Sequence, residues 1–142
     1  MTKKLIDTNI LIYAYDNSDL KKHNISKQII KEATEKNEAI LSIQNLVEFS
    51  RVLSEKAKIP VPYNEVRRII TNLELLFEII QYNTKTIAEA LDISSHYKLH
   101  FFDALITATM EENFISEIIT ENEKDFEKIS NIKVINPFKF SH

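Results

Sequence analysis

Leu5-Ile6-Asp7-Thr8-Asn9-Ile10-Leu11-Ile12-Tyr13-Ala14 is the stretch on which the reading of this chain turns. Two apolar residues introduced by Lys3 and Lys4 run into a carboxylate, and the residues after it are apolar at helical spacing. Residues 3–7 read as a short buried strand. Residues 8–15 read as a helix that the polar cluster Asp16-Asn17-Ser18-Asp19 breaks. A strand that delivers a carboxylate to the start of a helix is the opening unit of a parallel α/β sheet, and ligands of such sheets collect beyond the carboxyl ends of the strands.

The same alternation continues outward. Residues 20–36 suit a helix, with Ile25, Ile29, Ile30 and Ala33 on one face, and residues 39–43 a compact strand. A helix over 44–58 is stopped by Ile59-Pro60-Val61-Pro62. Asn64 is placed to cap the next helix, whose Val66, Ile69, Ile70, Leu73, Leu76 and Phe77 trace a single stripe. Residues 77–82 form a candidate third strand. An amphipathic helix over 84–98 and an apolar one over 101–112 follow. Short strands at 117–120 and 132–135 bracket the charged segment 121–128. No repeat, low-complexity tract or linker interrupts the pattern. The expectation is one domain over 1–142, a three-layer α/β/α fold with a mainly parallel central sheet.

Composition excludes several classes of chemistry. With 142 residues, 44% hydrophobic and 27% charged, the chain has the make-up of an ordinary globular domain. Glycine is absent, which removes every glycine-rich phosphate loop, and the missing Gly-x-Ser-x-Gly elbow removes that type of serine nucleophile. Cysteine is absent too, so there are no disulfides, thiolate metal sites or cysteine nucleophiles. Among His23, His96, His100 and His142, His96 and His100 are spaced as a zinc-binding pair but lack the adjoining glutamate. No segment has the roughly 18 apolar residues of a membrane span, and the amino terminus meets an aspartate too early for a secretory leader. A cytoplasmic protein is expected. The net charge of −3 supplies no general attraction for nucleic acid, so an RNA ligand would need a local basic patch or a cation.

Four acids sit at the edges of apolar runs: Asp7; Glu48 in Leu46-Val47-Glu48-Phe49; Asp103 in Phe101-Phe102-Asp103-Ala104-Leu105-Ile106; and Asp125, beyond Ile118-Ile119-Thr120. Each has an ordinary explanation. Asp7 and Asp103 are placed to be helix N-caps, Glu48 to pair with Arg51 three residues on, and Asp125, like Glu121 and Glu123, to be solvated in a loop. The helix around Glu48 reads as apolar nearly all round, which argues for burial of that acid. Their occurrence together is the stronger signal. Carboxylates about 4 Å apart repel by ~4 kcal/mol per pair at an effective dielectric near 20. Mg²⁺ or Mn²⁺, which favour hard oxygen ligands, would relieve that repulsion.

Leu5–Ala14, Ser42-Ile43-Gln44-Asn45-Leu46-Val47-Glu48-Phe49, Phe102-Asp103-Ala104-Leu105-Ile106-Thr107-Ala108, Ile119-Thr120-Glu121-Asn122-Glu123-Lys124-Asp125-Phe126 and the closing Val134-Ile135-Asn136-Pro137 together resemble, in order and spacing, the PIN domain, and within it the VapC-type toxin ribonucleases. The resemblance runs from Leu5 to Phe138. It implies a metal-dependent endoribonuclease that leaves a 5′-phosphate and a 3′-hydroxyl. Asp7 and Asp103 match the family's main metal-binding aspartates, and Glu48 its third acid. Thr8 and Asn9 match positions that orient the first aspartate or the metal's waters, with Thr120 and Asn122 as further supporting residues. The fourth acid is open. Asn122 stands where the family usually has an aspartate, and Asp125 matches a second common acidic position.

The resemblance further implies a homodimer and a small antitoxin protein as partner, for which the helix around 64–77 is a candidate surface. RNA would be gripped by bases such as Lys85, Lys98, His96, His100, Arg51 and Arg67. Two rival readings remain. One is an aspartyl-phosphate domain of receiver or haloacid-dehalogenase type, the latter of which wants a second aspartate where this chain has Asn9. The other is a PIN scaffold that binds RNA or protein without cutting.

Overall fold

The computed structural model describes residues 3–139, so His142 lies outside the described residues. Five strands, β1 (Lys4–Ile6), β2 (Ala39–Ser42), β3 (Glu78–Ile80), β4 (Glu117–Ile119) and β5 (Lys133–Ile135), form one parallel sheet in the order β3-β2-β1-β4-β5. Side chains alternate across a strand, so neighbouring residues of β1 serve opposite layers. Leu5, with Ile40 and Ile118, packs under one helical layer. Ile6, with Ala39 and Leu41, packs under the other. Because both faces are covered, the strands read as continuous apolar runs, as parallel sheets do.

The first helical layer comprises α5 (Thr84–Tyr97) and α6 (Phe101–Glu112), where every residue from Ala104 to Met110 is buried. The opposite layer holds α1 (Thr8–Tyr15), α2 (Leu20–Lys36), α3 (Ile43–Arg51) and α4 (Tyr63–Leu76), whose core includes Ile10, Leu11, Phe49, Leu53 and Leu73. A short α7 (Glu123–Phe126) lies between β4 and β5 and buries Phe126. The chain leaves β1 toward β2 and leaves β4 toward β5, in opposite directions. The crevice between the carboxyl ends of β1 and β4 is therefore the switch point of the sheet. None of the described helices is long and apolar enough to cross a membrane.

Several local expectations are corrected. β2 ends at Ser42 because that side chain turns to cap α3 in a reciprocal box with Asn45, and the helix therefore starts at Ile43. It does not run on as an α-helix to residue 58 but becomes π-helical over Val52–Lys56. Pro62, not Asn64, occupies the N-cap of α4, since proline's fixed φ suits the entry and Asn64 falls inside the first turn. In the stripe of α4, Val66, Leu73 and Phe77 are buried, but Leu76 points outward. Val47 is likewise exposed, so α3 is not apolar-packed all round. β3 is shorter than the 77–82 strand expected, because Phe77 caps α4.

Without glycine, other residues occupy left-handed backbone at helix ends: Asn37 (φ 52°), Lys98 (φ 55°) and Phe114 (φ 58°). Phe114 follows α6 in a Schellman arrangement, with Phe114 N–H on the Glu111 carbonyl (3.2 Å) and Ile115 N–H on that of Met110 (2.9 Å). Its ring is 94% exposed, so little packing compensates for the Cβ clash of this conformation. Phe114→Gly is expected to stabilise the protein by about 1 kcal/mol despite glycine's greater unfolded-state entropy. Thermal denaturation checks this, and an unchanged or lower Tm would contradict the account.

Candidate active site

Asp7 ends β1 and caps α1. Its Oδ1 accepts from the Thr8 backbone N–H (2.8 Å) and Asn45 Nδ2 (3.4 Å), and its Oδ2 from Thr120 Oγ1 (2.7 Å) and Asn9 Nδ2 (3.4 Å). All four donors are neutral. Burial pushes the Asp7 carboxyl above the usual carboxylate range, against the lowering effect of the bonds from Thr120, Thr8, Asn45 and Asn9. The N-cap reading of Asp7 holds: its side chain accepts from the first backbone N–H of α1.

Thr120 is what aligns β4 with this carboxylate. Its hydroxyl donates to Asp7 and accepts from Asn9 Nδ2 (3.3 Å) and the Asn122 backbone N–H (3.0 Å), which uses the whole capacity of a hydroxyl. The register Ile6↔Ile119 across β1 and β4 brings Asp7 and Thr120 side by side. Asn9 completes the tie by accepting from the Glu121 backbone N–H (3.3 Å).

Glu48 enters from α3, half-buried. Its Oε1 accepts from Gln44 Nε2 (3.3 Å) and Thr8 Oγ1 (3.4 Å). Burial, then the charges of Asp7 and Asp103, raise its pKa, while the Gln44 and Thr8 bonds oppose the rise. No salt bridge to Arg51 forms among the described residues. Asp103 comes from the first turn of α6. His100, not Asp103, holds the N-cap position. Burial, then the charges of Asp7 and Asp125, push the Asp103 carboxyl up to about 6, and His100 and the Asn122 side chain pull the other way.

Asp7, Glu48, Asp103 and Asn122 line one cavity of about 400 Å³, with Thr8 and Asn9; Ile12, Tyr13, Val52 and Ile106 form its apolar wall. Asp125 does not line it. That aspartate acts on Asp103 through its charge and sits 3.8 Å from Lys128. Its neighbours are similarly engaged, Glu121 with Lys22 (3.1 Å) and Glu123 with Lys139 (3.6 Å). Among the described residues no three acidic or histidine side chains form a ready metal-ligating cluster. The three carboxylates face one cavity, and the charge of Asp7 raises the pKa of both Glu48 and Asp103, without the three being gathered to ligating distance. Their oxygens are nonetheless the donor type that Mg²⁺ or Mn²⁺ would take.

Of the bases singled out in the sequence, His100 acts on a site acid, its charge lowering the pKa of Asp103. Arg51 and Arg67 lie together in a separate groove between α3 and α4. Lys85 and His96 are exposed at opposite ends of α5, and Lys98, just beyond it, accepts from Lys128 Nζ through its carbonyl (3.5 Å). Two residues that the sequence offered only as part of a motif, Asn45 and Gln44, make direct contacts with the acids. Asn45 is fully buried. Its Oδ1 accepts from Ser42 while its Nδ2 donates to Asp7 and to Thr8 Oγ1 (3.0 Å). Ser42-x-x-Asn45 ahead of an apolar helix was a legible cap signal, but the contact with Asp7 spans 38 residues and has no local signature.

The fold and site define a parallel α/β domain with a carboxylate cavity at its switch point. The profile of the PIN domain matches residues 4–132, and the chain belongs to that family. Among solved structures it resembles a toxin–antitoxin complex from Klebsiella pneumoniae (24% identity over 96% of this chain and 98% of that one, TM-score 0.69). It also resembles DNA-bound VapBC from Salmonella typhimurium (15% identity, 96% and 99%, TM-score 0.71). A third is the toxin VapC20 of Mycobacterium tuberculosis, described as cleaving the sarcin–ricin loop (13% identity, 88% and 94%, TM-score 0.69). At these identities the likeness establishes the fold. None of the curated sequences compared with the chain matches it.

The raised pKa of Asp103 carries a stability consequence. The folded state keeps a proton that the unfolded chain loses above an ordinary value of 3.8, so stability falls as pH rises from there through about 6. In EDTA, Asp103→Asn is expected to raise Tm by a few degrees at pH 7.5 and by less at pH 5. Calorimetry at the two pH values decides, and an equal or larger gain at pH 5 would refute the assignment.

Proposed function

We propose that this PIN domain is a metal-dependent endoribonuclease and the toxin of a VapBC-like toxin–antitoxin pair. The observation that supports it best is the convergence of Asp7, Glu48 and Asp103, from three distant parts of the chain, on one cavity at the sheet's switch point. Asp7 and Asp103 would hold Mg²⁺ or Mn²⁺, with Glu48 completing the set. When bound, the ion supplies Lewis acidity toward the phosphate and a lowered pKa for water.

The chain's own residues do the rest. Asn9, Asn45, Thr8 and Thr120 donate to both oxygens of Asp7 and so oppose the effect of burial, favouring the ionised form that a cation needs. Both bonds to Glu48 among the described residues end on Oε1, which leaves Oε2 to accept a proton from an attacking water. Asn122 takes the fourth position as a neutral donor to Asp103, and Asp125 stands behind it as a more distant charge. In-line attack then leaves a 5′-phosphate and a 3′-hydroxyl.

The structural relatives described as toxin–antitoxin complexes support an antitoxin partner, and a homodimeric, cytoplasmic protein belongs to the same proposal. The groove of about 720 Å³ between α3 and α4, which joins exposed Val47 and Tyr63 to Arg51 and Arg67, fits a partner segment with apolar and acidic side chains. An aspartyl-phosphate domain loses ground, because Asn9 holds Asp7 from the position where a second aspartate would work.

Cleavage of RNA with Mg²⁺ or Mn²⁺ tests the reading. EDTA should abolish it, and Asp7→Asn or Asp103→Asn should lower the rate by about 10²–10³-fold, the loss typical of one preorganised electrostatic group. Undiminished cleavage by folded variants would remove this site. RNA binding without cleavage in the wild type would favour the non-catalytic scaffold.

A further inference from the structure

We propose that Gln44 is a positioning residue that sets the placement of Glu48 relative to Asp103. Its side-chain amide joins the two helices that carry those acids. Nε2 donates to Glu48 Oε1 (3.3 Å), one turn on along α3, and to the backbone carbonyl of Phe102 (2.8 Å), the residue before Asp103 on α6. One planar group, with two N–H bonds in fixed directions, therefore bridges opposite helical layers. The inference deepens the nuclease reading and rests on it for its catalytic part.

The orientation of the amide is not ambiguous. Both partners are acceptors, so the nitrogen must face them. The consequence is that Gln44 Oε1 is buried and has no hydrogen-bond partner among the described residues, in a side chain only 4% exposed. A buried orphan acceptor is costly, and a leucine or methionine would fill the same space without it. Such a local conflict is expected where a side chain serves the site rather than the core. The first N–H holds Glu48 on Oε1, on the same atom as Thr8. The second anchors the amide to the backbone, so Glu48 cannot carry it away.

Two arms test the proposal. The first needs neither metal nor RNA: solvent exchange of the Gln44 side-chain amide protons, followed by NMR in wild type and Glu48→Ala. One proton should exchange severalfold faster in the variant while the other, on the Phe102 carbonyl, keeps its protection. Exchange unaltered at both protons overturns the bridge. The second arm uses Gln44→Met, which keeps bulk and removes both donors. Mn²⁺ affinity, read by electron paramagnetic resonance, should weaken about tenfold, and kcat on an RNA that the wild type cuts should fall about 10–100-fold with KM within about twofold. Thermal melting confirms that the variant is folded. Gln44→Glu, isosteric but lacking the donors, should fail to restore either quantity. Wild-type kcat and Mn²⁺ affinity in folded Gln44→Met overturn the positioning role and leave the nuclease reading intact. A wild type that cuts no RNA sinks the nuclease reading, while the exchange arm still decides the bridge.

Discussion

A carboxylate buried at the end of the central strand, held by four neutral hydrogen bonds, is the constraint around which the rest of the molecule is organised. Asp7 caps α1, receives the amide of Asn45 from the start of α3 and receives the hydroxyl of Thr120 from the end of β4. Three elements are thereby registered on one side chain. No lysine or arginine pairs with it among the described residues, and burial outweighs the hydrogen bonds, so its charge is disfavoured in the protein alone. A group kept in so unfavourable a state makes sense if its task is to meet a positive charge.

The parallel sheet explains why the other acids meet it there. In the order β3-β2-β1-β4-β5 the central strand has its neighbours' exits diverging on either side, which opens the crevice. Glu48 reaches the crevice from the α1–α4 layer and Asp103 from the α5–α6 layer, so each helical layer contributes one acid and the sheet contributes the third. Placement across layers makes the site sensitive to how the layers pack. The Gln44 bridge between α3 and α6 spans that seam.

The absence of glycine leaves its mark elsewhere. Three helix ends that commonly close with glycine close here with Asn37, Lys98 and Phe114 in left-handed backbone. Among the described residues the strain falls at the ends of α2, α5 and α6 and spares the carboxyl end of the sheet, where Asp7 (ψ 160°) and Ser42 (ψ 156°) adopt ordinary extended caps.

The strand–helix alternation, the apolar strands and the three principal acids were legible in the sequence because they depend on local periodicity and on where charge interrupts it. Leu5-Ile6-Asp7 and Phe102-Asp103-Ala104 carry that signal within a few residues. Other features were not local. Val47 and Leu76 look like core by spacing, and only the packing of neighbouring helices leaves them outside. Asp103 is the cap expected by composition, yet the helix begins two residues earlier, which puts His100 at the N-cap and Asp103 in the first turn. Asp125 and Asn122 compete for the fourth position in the sequence. The turn after β4 puts Asn122 in the cavity and leaves Asp125 beside Lys128. By itself, then, the sequence determined which residues could be acids of a parallel α/β site, since burial and charge are written in adjacent residues. The tertiary structure decided which donors hold those acids and how near they stand. Hydrogen bonds such as Thr120 to Asp7, 113 residues apart, exist only once β1 and β4 have paired.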